Sequence, residues 1–401
     1  MKNIRFAIIG AGLRGHALFR DAIAHRENVE TVALCDNDTV KAQKFADEMV
    51  KDFNKKAPLI YEDYKKCIDE VKPDAVLVST SWEAHMKVAM YAMEKGIPVA
   101  CEVGGAYSIE SLWEIVKCYE KTKTPIMMME NCCFGRIELL ALNMKRLGLL
   151  GKIVHCEGGY RHDLRSEVCQ SDPMFAGHYR LQQYIRRNAE NYPTHEIGPI
   201  AKLLDINCGN RFISLVSVGN TPTGMEEYVK AKNIEHLKGV KFNQSDVVTT
   251  IIKCQNGETV TITLDTGLPR YYSRAFLAQG TKGLICEENR SVFLDDEWKE
   301  EQWEWKDNFN NIDKYFAKYD HKRWIGYNPG IGGHGGMDDL EFNAFFEALE
   351  NGTPMPIDVY DMATWMCISV LSEQSLATGL PVAFPDFTEG KWITNKNTFE
   401  L

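Results

Sequence analysis

The chain has 401 residues, of which 44% are hydrophobic and 25% are charged, and its formal net charge at pH 7 is -10. This length is more than one ordinary hydrophobic core accommodates, so it predicts two domains. The acidic charge and the lack of basic runs argue against nucleic acid or an anionic membrane surface as a partner, and no apolar stretch is long enough to span a membrane. We therefore expect a small-molecule ligand.

The amino terminus has the pattern of a strand, a tight turn and a helix. An apolar run over 4–9 leads into the sequence Gly-Ala-Gly-Leu-Arg-Gly over 10–15, and the next apolar run ends at Asp36. The glycines permit a sharp turn, the approach of a pyrophosphate and close packing of helix on strand, in the order Gly10, Gly12 and Gly15. Asp36 would accept hydrogen bonds from ribose hydroxyls and repel a 2′-phosphate, so the pattern predicts NAD rather than NADP.

Alternating strands and helices continue to about residue 150 and predict a doubly wound parallel sheet, a Rossmann domain of α/β class. Further strands are predicted at 29–35, 75–78, 99–102 and 126–129, and helices at 40–52 and 85–95. Ligands of such sheets lie beyond the carboxyl ends of the strands. There, Trp82 offers a flat face to a nicotinamide or its ribose, and His85 either caps its helix or bonds a cofactor hydroxyl.

Beyond residue 151 the strand patterns are separated by fewer helices, which predicts an α+β domain with a largely antiparallel open sheet, covered on one face. The predicted strands are 152–160, 212–218, 247–254, 258–265 and 273–279, and the predicted helices are 193–204, 338–349 and 361–378. We therefore predict an NAD-binding domain over 1–150 and a substrate-binding domain over 151–401. The helices over about 338–378 are expected to pack at the junction. The glycine-rich stretch 330–338 is either a flexible approach to a helix start at this junction or only a linker with a helix cap at Asp338.

The second domain contains a group of polar residues suited to a sugar. In Tyr192-Pro193-Thr194-His195, the proline suits the start of a helix, so the next two residues project from its first turn. His195 is either a base or a histidine satisfied within the fold. Tyrosine and arginine are residue types that bind sugar hydroxyls, and candidates are Tyr160, Arg180 and Tyr272. No spaced pair of carboxylates can be assigned as acid and nucleophile, so ordinary glycoside hydrolysis has no visible basis.

These motifs resemble known proteins. The segments 10–15, 82–85 and 102–103, with Asp36, are similar to the Gfo/Idh/MocA group of nicotinamide-dependent sugar oxidoreductases. Motifs along nearly the whole chain resemble glycoside hydrolase family 109, and they lie at 130–133, 192–195, 269–274, 279–283, 334–338, 359–361 and 384–387. Members of that family are NAD-dependent glycosidases, known chiefly as α-N-acetylgalactosaminidases.

The resemblance implies a set of site residues. Cofactor contacts are implied at Leu13, Arg14, Asp36, Trp82, His85, Glu102, Val103 and Asn131. Substrate contacts are implied at Tyr160, Arg180, Tyr192, Pro193, Thr194, His195 and Tyr272. The wider group commonly has Glu-Lys-Pro where this chain has Glu102-Val103-Gly104, and the missing lysine favours a glycosidase over a dehydrogenase. Similar proteins usually have glycine after the motif histidine, where this chain has Glu196, which leaves the sugar open.

The expected function is an NAD-dependent glycosidase that acts by transient oxidation at C3, deprotonation at C2, elimination and water addition. N-acetylgalactosaminides are one candidate substrate class. His195 is the first choice for proton transfer, with Tyr160 and Tyr272 as assistants or rivals. The alternative is an NAD-dependent sugar or inositol dehydrogenase of the Gfo/Idh/MocA group. A sensor that binds NAD without chemistry would leave the second-domain cluster unexplained.

Other properties follow from the same reading. The twelve cysteines are scattered and none forms a C-x-x-C pair, so no metal site is predicted. The first strand begins at once and no signal-peptide pattern precedes it, so we expect a cytoplasmic protein. The resemblance implies that a homo-oligomer can form through the second-domain sheet.

The assignment of Asp36 makes a first prediction. Replacing Asp36 with alanine should weaken NAD binding by about 1 to 3 kcal/mol, because hydrogen bonds to a charged group are lost. A binding titration of NAD and NADP against both proteins measures the effect. Preference of the unmodified chain for NADP would contradict the assignment.

Overall fold

In the computed structural model, which describes residues 3–104, 106–170, 179–297 and 305–400, the chain divides into two units. The first comprises Met1–Asn131, Gly326–Ala363 and Thr398–Leu401, and the second comprises Cys132–Ile325 and Thr364–Asn397. The expected boundary near residue 150 lies later than this division. The difference is helix α6 (Arg136–Arg146), which packs on α9 (Thr194–Leu203) of the second unit.

The first unit contains a six-stranded parallel sheet among its described residues. Its strands are β1 (Ile4–Ile9), β2 (Val29–Cys35), β3 (Leu59–Tyr61), β4 (Ala75–Val78), β5 (Val99–Glu102) and β6 (Ile126–Met129), in the order β3-β2-β1-β4-β5-β6. The strand order reverses beside β1, where Phe6 aligns with Thr31 of β2 on one side and with Ala75 of β4 on the other. The crevice at such a reversal is where doubly wound sheets bind their ligands. The predicted Rossmann sheet is confirmed, although β3 was missed because it has only three residues, none of them buried.

Helices cover this sheet. They are α1 (Leu13–Leu18), α2 (Thr39–Phe53), α3 (Tyr64–Val71), α4 (Trp82–Glu94), α5 (Ile109–Thr122) and α13 (Met337–Asn351). Asp38 begins α2 by accepting hydrogen bonds from the Val40 and Lys41 amides. Helix α13, from the carboxyl-terminal part of the chain, packs against the core of this sheet, where Phe346 lies edge-on to Phe6 of β1 with ring centroids 5.5 Å apart.

The second unit contains an eight-stranded sheet in its described part. The strands are β7 (Ile153–Arg161), β8 (Phe212–Gly219), β9 (Val247–Cys254), β10 (Thr259–Asp265), β11 (Leu277–Gly280), β12 (Gly283–Cys286), β13 (Ser291–Leu294) and β14 (Val382–Ala383). Their order is β13-β12-β11-β7-β10-β9-β8-β14; β7 and β10 pair in parallel and the other pairings are antiparallel. The predicted strand at 273–279 was wrong in its first half. Ala275 takes a left-handed conformation with φ of 48°, which interrupts an extended run.

One face of this sheet is covered, as predicted. Along β9 the buried side chains alternate, and the covered ones are Val248, Thr250, Ile252 and Cys254.

The described helices of the second unit are α6, α7 (Arg165–Val168), α8 (Tyr179–Arg186), α9, α10 (Gly224–Ala231), α11 (Trp305–Asn308), α12 (Asp313–Tyr319) and the part of α14 (Val359–Thr378) that starts at residue 364. The three predicted helices correspond to α9, α13 and α14. In the described part of the chain, no helix combines the length and apolarity needed to cross a membrane.

Candidate functional site

The turn after β1 brings two backbone segments into close contact. Gly10 has φ of +107°, and a Cβ placed on it would lie 2.4 Å from the carbonyl oxygen of Ser79. The Ser79 hydroxyl donates to the Gly10 carbonyl at 2.9 Å, which fixes β4 to the turn. A Cβ at Gly15 would lie 2.4 Å from the Gly10 oxygen, so α1 packs directly on the turn. Only glycine fits these two positions.

The start of α1 is open. Gly12 is the N-cap, and nothing lies within 4 Å of the place its Cβ would occupy. Leu13, the next residue, is 48% exposed. Free backbone N–H groups at a helix start bind phosphate when the backbone can be approached closely. The turn therefore has the shape that the sequence predicts for a dinucleotide.

Asp36 is held in place at the end of β2. One carboxylate oxygen accepts the Ala11 N–H at 2.8 Å, and the other accepts the Asp38 N–H at 2.9 Å. A carboxylate offers about four acceptor positions, so two stay available to ribose hydroxyls. Its orientation is fixed before a ligand arrives.

Trp82 and His85 after β4, and Val103 and Gly104 after β5, are buried. Trp82 begins α4, and a Cβ at Gly104 would lie 2.8 Å from its Cδ1 atom, so the indole packs on this backbone. His85 lies with Nε2 3.0 Å from the Thr80 carbonyl, and burial lowers the pKa of its imidazole to about 4. His85 therefore stays neutral, and its Nδ1 is buried without a hydrogen-bond partner in the described structure. Val103 is also buried.

Arg14 connects several of the predicted cofactor residues. Its Nε donates to Glu102 at 3.1 Å, and its two terminal nitrogens donate to Asp338 at 2.9 and 3.1 Å. The Asn131 amide donates to the same Asp338 carboxylate at 2.6 Å. Sequence reasoning placed Asp338 in a family motif and gave it no role in the site. The signal available was its position at the start of a helix after a glycine-rich stretch.

In the second unit, three rings predicted to contact substrate lie together. The centroid of Tyr160 lies 4.6 Å from that of Tyr192 and 5.4 Å from that of His195, and the last two are 4.8 Å apart. Close packing of α9 on β7 produces this arrangement, because a Cβ at Gly158 would lie 2.5 Å from the Glu196 carbonyl oxygen. As predicted, His195 projects from the first turn of α9, and Pro193 is its N-cap.

Polar groups surround this ring cluster of Tyr160, Tyr192 and His195. Arg180 lies with its guanidinium carbon 4.9 Å from the Tyr192 centroid and pairs with Glu167 at 2.6 Å. The Thr194 hydroxyl is buried and makes no hydrogen bond within the described residues. Arginine, tyrosine and threonine side chains together suit a ligand rich in hydroxyl groups, because they combine aromatic faces with polar groups.

Tyr272 reaches the cluster through His162. The His162 ring lies 5.2 Å from Tyr272 and 5.8 Å from Tyr160, centroid to centroid, and burial lowers the pKa of His162. Tyr272 is 45% exposed as a residue, and burial of its hydroxyl raises its pKa well above the usual value despite the nearby Arg274. The Tyr272 hydroxyl is therefore protonated at neutral pH and is able to donate a hydrogen bond.

Two carboxyl groups that sequence reasoning did not pair lie under the cluster. Glu190 and Glu196 are both fully buried, and burial raises the pKa of each. The pKa of Glu196 is raised further by Glu190, so the two side chains lie beside each other. The Glu196 side chain therefore places a protonated, uncharged carboxyl group in the interior of the second unit. Both carboxyls of this pair are buried, unlike the two carboxyls that flank a sugar in ordinary glycosidases.

The comparisons with known proteins cover both units. Residues 4–130 match the family model of the oxidoreductase family with NAD-binding Rossmann fold, and residues 134–394 match that of the glycosyl hydrolase 109 C-terminal domain. A glycosyl hydrolase family 109 protein of Stenotrophomonas maltophilia strain K279a is 38% identical, over 99% of this chain and 92% of its own. An alpha-N-acetylgalactosaminidase of Tannerella forsythia is 37% identical, over 99% of this chain and 89% of its own.

Solved structures share the fold at low identity. An NAD binding oxidoreductase from Klebsiella pneumoniae superposes with a TM-score of 0.68 at 15% identity, covering 96% of this chain and 99% of that one. The scyllo-inositol dehydrogenase from Lactobacillus casei, solved with NAD(H) and scyllo-inositol, gives 0.65 at 12% identity, covering 95% and 99%. These similarities show the fold alone.

The buried carboxyl pair predicts how stability depends on pH. The folded chain keeps protons on Glu190 and Glu196 at pH values where the unfolded chain has lost them, above the ordinary glutamate pKa of about 4.3. Their contribution is complete below that pKa and is lost as pH rises toward the raised pKa of the folded state. Glu190→Gln should therefore raise the free energy of unfolding by about 1 to 3 kcal/mol at pH 8 and change it little at pH 4.

Urea denaturation of both proteins between pH 4 and pH 9 measures this difference. Glu235→Gln, at an exposed carboxylate of the same unit, is the control and should leave the pH dependence unchanged. A Glu190→Gln variant whose stability differs from that of the unmodified chain by the same amount at every pH would show that the pKa of Glu190 is not raised in the folded chain.

Proposed function

The chain belongs to glycoside hydrolase family 109, and we propose that it uses NAD to cleave a small glycoside by reversible oxidation of the sugar. Membership rests on the two matched family models and on relatives that are similar over their full length. The observation that carries the proposal is the ring cluster with Arg180 beside it, because it offers a base, aromatic faces and a donor fork to one sugar. An α-N-acetylgalactosaminide is the proposed substrate class, since one relative is named for that activity.

A nicotinamide cofactor fits the first unit. The open start of α1 at Gly12 would hold the pyrophosphate, and the fixed carboxylate of Asp36 would hold the adenosine ribose. Asp36 also disfavours a 2′-phosphate, which supports NAD over NADP. Trp82, Glu102, Val103 and Asn131 are the proposed contacts at the other strand ends.

Cleavage by two carboxylates does not suit the second unit. Glu190 and Glu196 are buried and hold protons, and Glu167 is paired with Arg180. A cofactor supplies the missing driving force. When bound, NAD supplies reversible oxidation at C3 of the sugar, which makes the proton on C2 acidic.

The side chains then have defined tasks. An imidazole nitrogen of His195 accepts the C2 proton, and its ring is held in place by Tyr160 and Tyr192. The bond between C1 and the glycosidic oxygen breaks as the C1–C2 double bond forms; Tyr272, which keeps its proton, donates a hydrogen bond to the leaving oxygen, and the attacking water supplies the proton that this oxygen gains. The hydroxyl of that water adds to C1, a proton passes from His195 to C2, and C3 regains its original state, so the net reaction is hydrolysis.

A panel of chromogenic glycosides, supplied without added cofactor, tests the proposal. An N-acetylgalactosaminide should be cleaved with no net growth of NADH absorbance. Growth of NADH in step with substrate loss, with the glycosidic bond intact, would indicate a sugar or inositol dehydrogenase instead.

His195→Ala in the same assay should lower turnover by about a hundredfold or more, because a general base acts in the transition state. Its NAD affinity should be nearly unchanged, since His195 belongs to the other unit. His155→Ala is the matched control, a partly exposed histidine of the same strand β7 as Tyr160, and it should retain turnover. Near-normal turnover of His195→Ala would assign the base to Tyr160.

A cytoplasmic location and a homo-oligomer stay predictions. Neither bears on the chemistry proposed for the two sets of residues.

A further inference from the structure

We propose that Asp338 is a positioning residue for the nicotinamide half of the cofactor, acting through Arg14 and Asn131. The inference rests on the proposed function, because it assumes that the first unit binds NAD. Arg14 and Asn131 are implied cofactor contacts, whereas neither the sequence motifs nor the comparisons give Asp338 a role in binding the cofactor.

The Asp338 carboxylate is saturated by groups of the first unit. One oxygen accepts from Arg14 at 3.1 Å and from Asn131 at 2.6 Å. The other accepts from Arg14 at 2.9 Å and lies 2.9 Å from Nδ1 of His334. A carboxylate has about four acceptor positions, and all of them are used. The paired bonds to Arg14 fix the plane of the guanidinium as well as its position.

The glycine-rich stretch before α13 is built around this carboxylate. A Cβ at Gly333 would lie 2.4 Å from an Asp338 oxygen, and Gly336, the N-cap of α13, has φ of 99°. Side chains at these positions would displace the carboxylate or strain the backbone. The stretch that the sequence left as either a flexible approach or a linker is therefore a close-fitting support for Asp338.

Charge supports the same role. Asp338 has no exposed surface, and burial alone would raise its pKa, but Arg14 and His334 outweigh burial and keep the pKa well below its usual range. Glu341, one turn later, is buried, and burial and the nearby Glu102 and Asp338 raise its pKa well above the usual value. Glu341 therefore stays neutral, and neither of its oxygens has a hydrogen-bond partner in the described part of the chain. The ionised group that fixes Arg14 from α13 is Asp338.

The sheet order indicates which half of the cofactor is affected. Glu102 ends β5 and Asn131 follows β6, on one side of β1, whereas Asp36 follows β2 on the other side. Arg14 is held toward the β5 and β6 ends by Glu102 and Asp338. Asp36 thus serves the adenosine half, and the Asp338 network serves the nicotinamide half. Loss of Asp338 should affect a whole dinucleotide but not a ligand that ends at the second phosphate.

Calorimetric titration of Asp338→Asn with NAD and with ADP tests this. The dissociation constant for NAD should rise about tenfold or more, because the charge that orients Arg14 is lost. The dissociation constant for ADP should stay within about twofold. Asp339→Asn is the matched control, since its buried carboxylate pairs with Arg26 at 2.6 Å and with His25 at 3.1 Å instead of with Arg14. This control should leave both affinities within about twofold.

A double variant separates positioning from general loosening. If Asp338 acts largely through Arg14 and otherwise through Asn131, then adding Asp338→Asn to Arg14→Gln should weaken NAD binding much less than Asp338→Asn weakens it in the unmodified chain. If circular dichroism shows that Asp338→Asn does not fold, Asp338→Glu keeps the charge, displaces the guanidinium and should give the same selective loss of NAD.

Two results would overturn the proposal. Unchanged NAD affinity in Asp338→Asn would exclude a positioning role, and an equal loss of NAD and ADP affinity would assign Asp338 to the general fold. Failure of the unmodified chain to bind NAD would instead contradict the proposed function, and ADP binding by the same sample would show that the turn at Gly10 is intact.

Discussion

The contact between the Gly10 turn and the end of β4 is the constraint on which the first unit depends. Because the backbones meet there without room for a side chain, β1 and β4 are held adjacent at the point where the strand order reverses. Asp36 closes the turn from the β2 side, and Arg14 leaves it toward the ends of β5 and β6. One short segment thereby fixes the positions of the Asp36 carboxylate and the Arg14 guanidinium, the two groups proposed to bind the two halves of the dinucleotide.

In the proposed function, the second unit presents a base and hydroxyl-binding groups, and its Glu190 and Glu196 carboxyls are buried. Gly158 lets α9 approach β7 closely, and this approach brings His195 against Tyr160. The carboxyls beneath, Glu190 and Glu196, hold protons because burial makes their charged forms costly. In the proposed chemistry, this unit supplies a proton-transfer group and hydrogen-bond donors, and the cofactor supplies the driving force.

Much of the fold could be predicted from the sequence, because short local patterns determine where its strands, turns and helices begin and end. The strands ending at Ile9 and Cys35, the glycine turn and the start of α9 follow from apolar runs and turn residues over short spans. Contacts between distant segments could not be read. Asn131 and Asp338 are separated by 207 residues, and no local signal pairs them. The Glu190 pairing was missed for the same reason, since burial of a carboxyl depends on tertiary packing.

The central claim is that the glycosidic bond is cleaved through an acidified C2 proton rather than through carboxylate attack. Cleavage of an N-acetylgalactosaminide in heavy water tests it directly, with the product analysed by nuclear magnetic resonance. We expect deuterium at C2 of the released sugar, because His195 exchanges its proton with solvent. We expect C3 to retain its original hydrogen. A product with no deuterium at C2 would contradict the account, because direct displacement at C1 leaves that hydrogen in place.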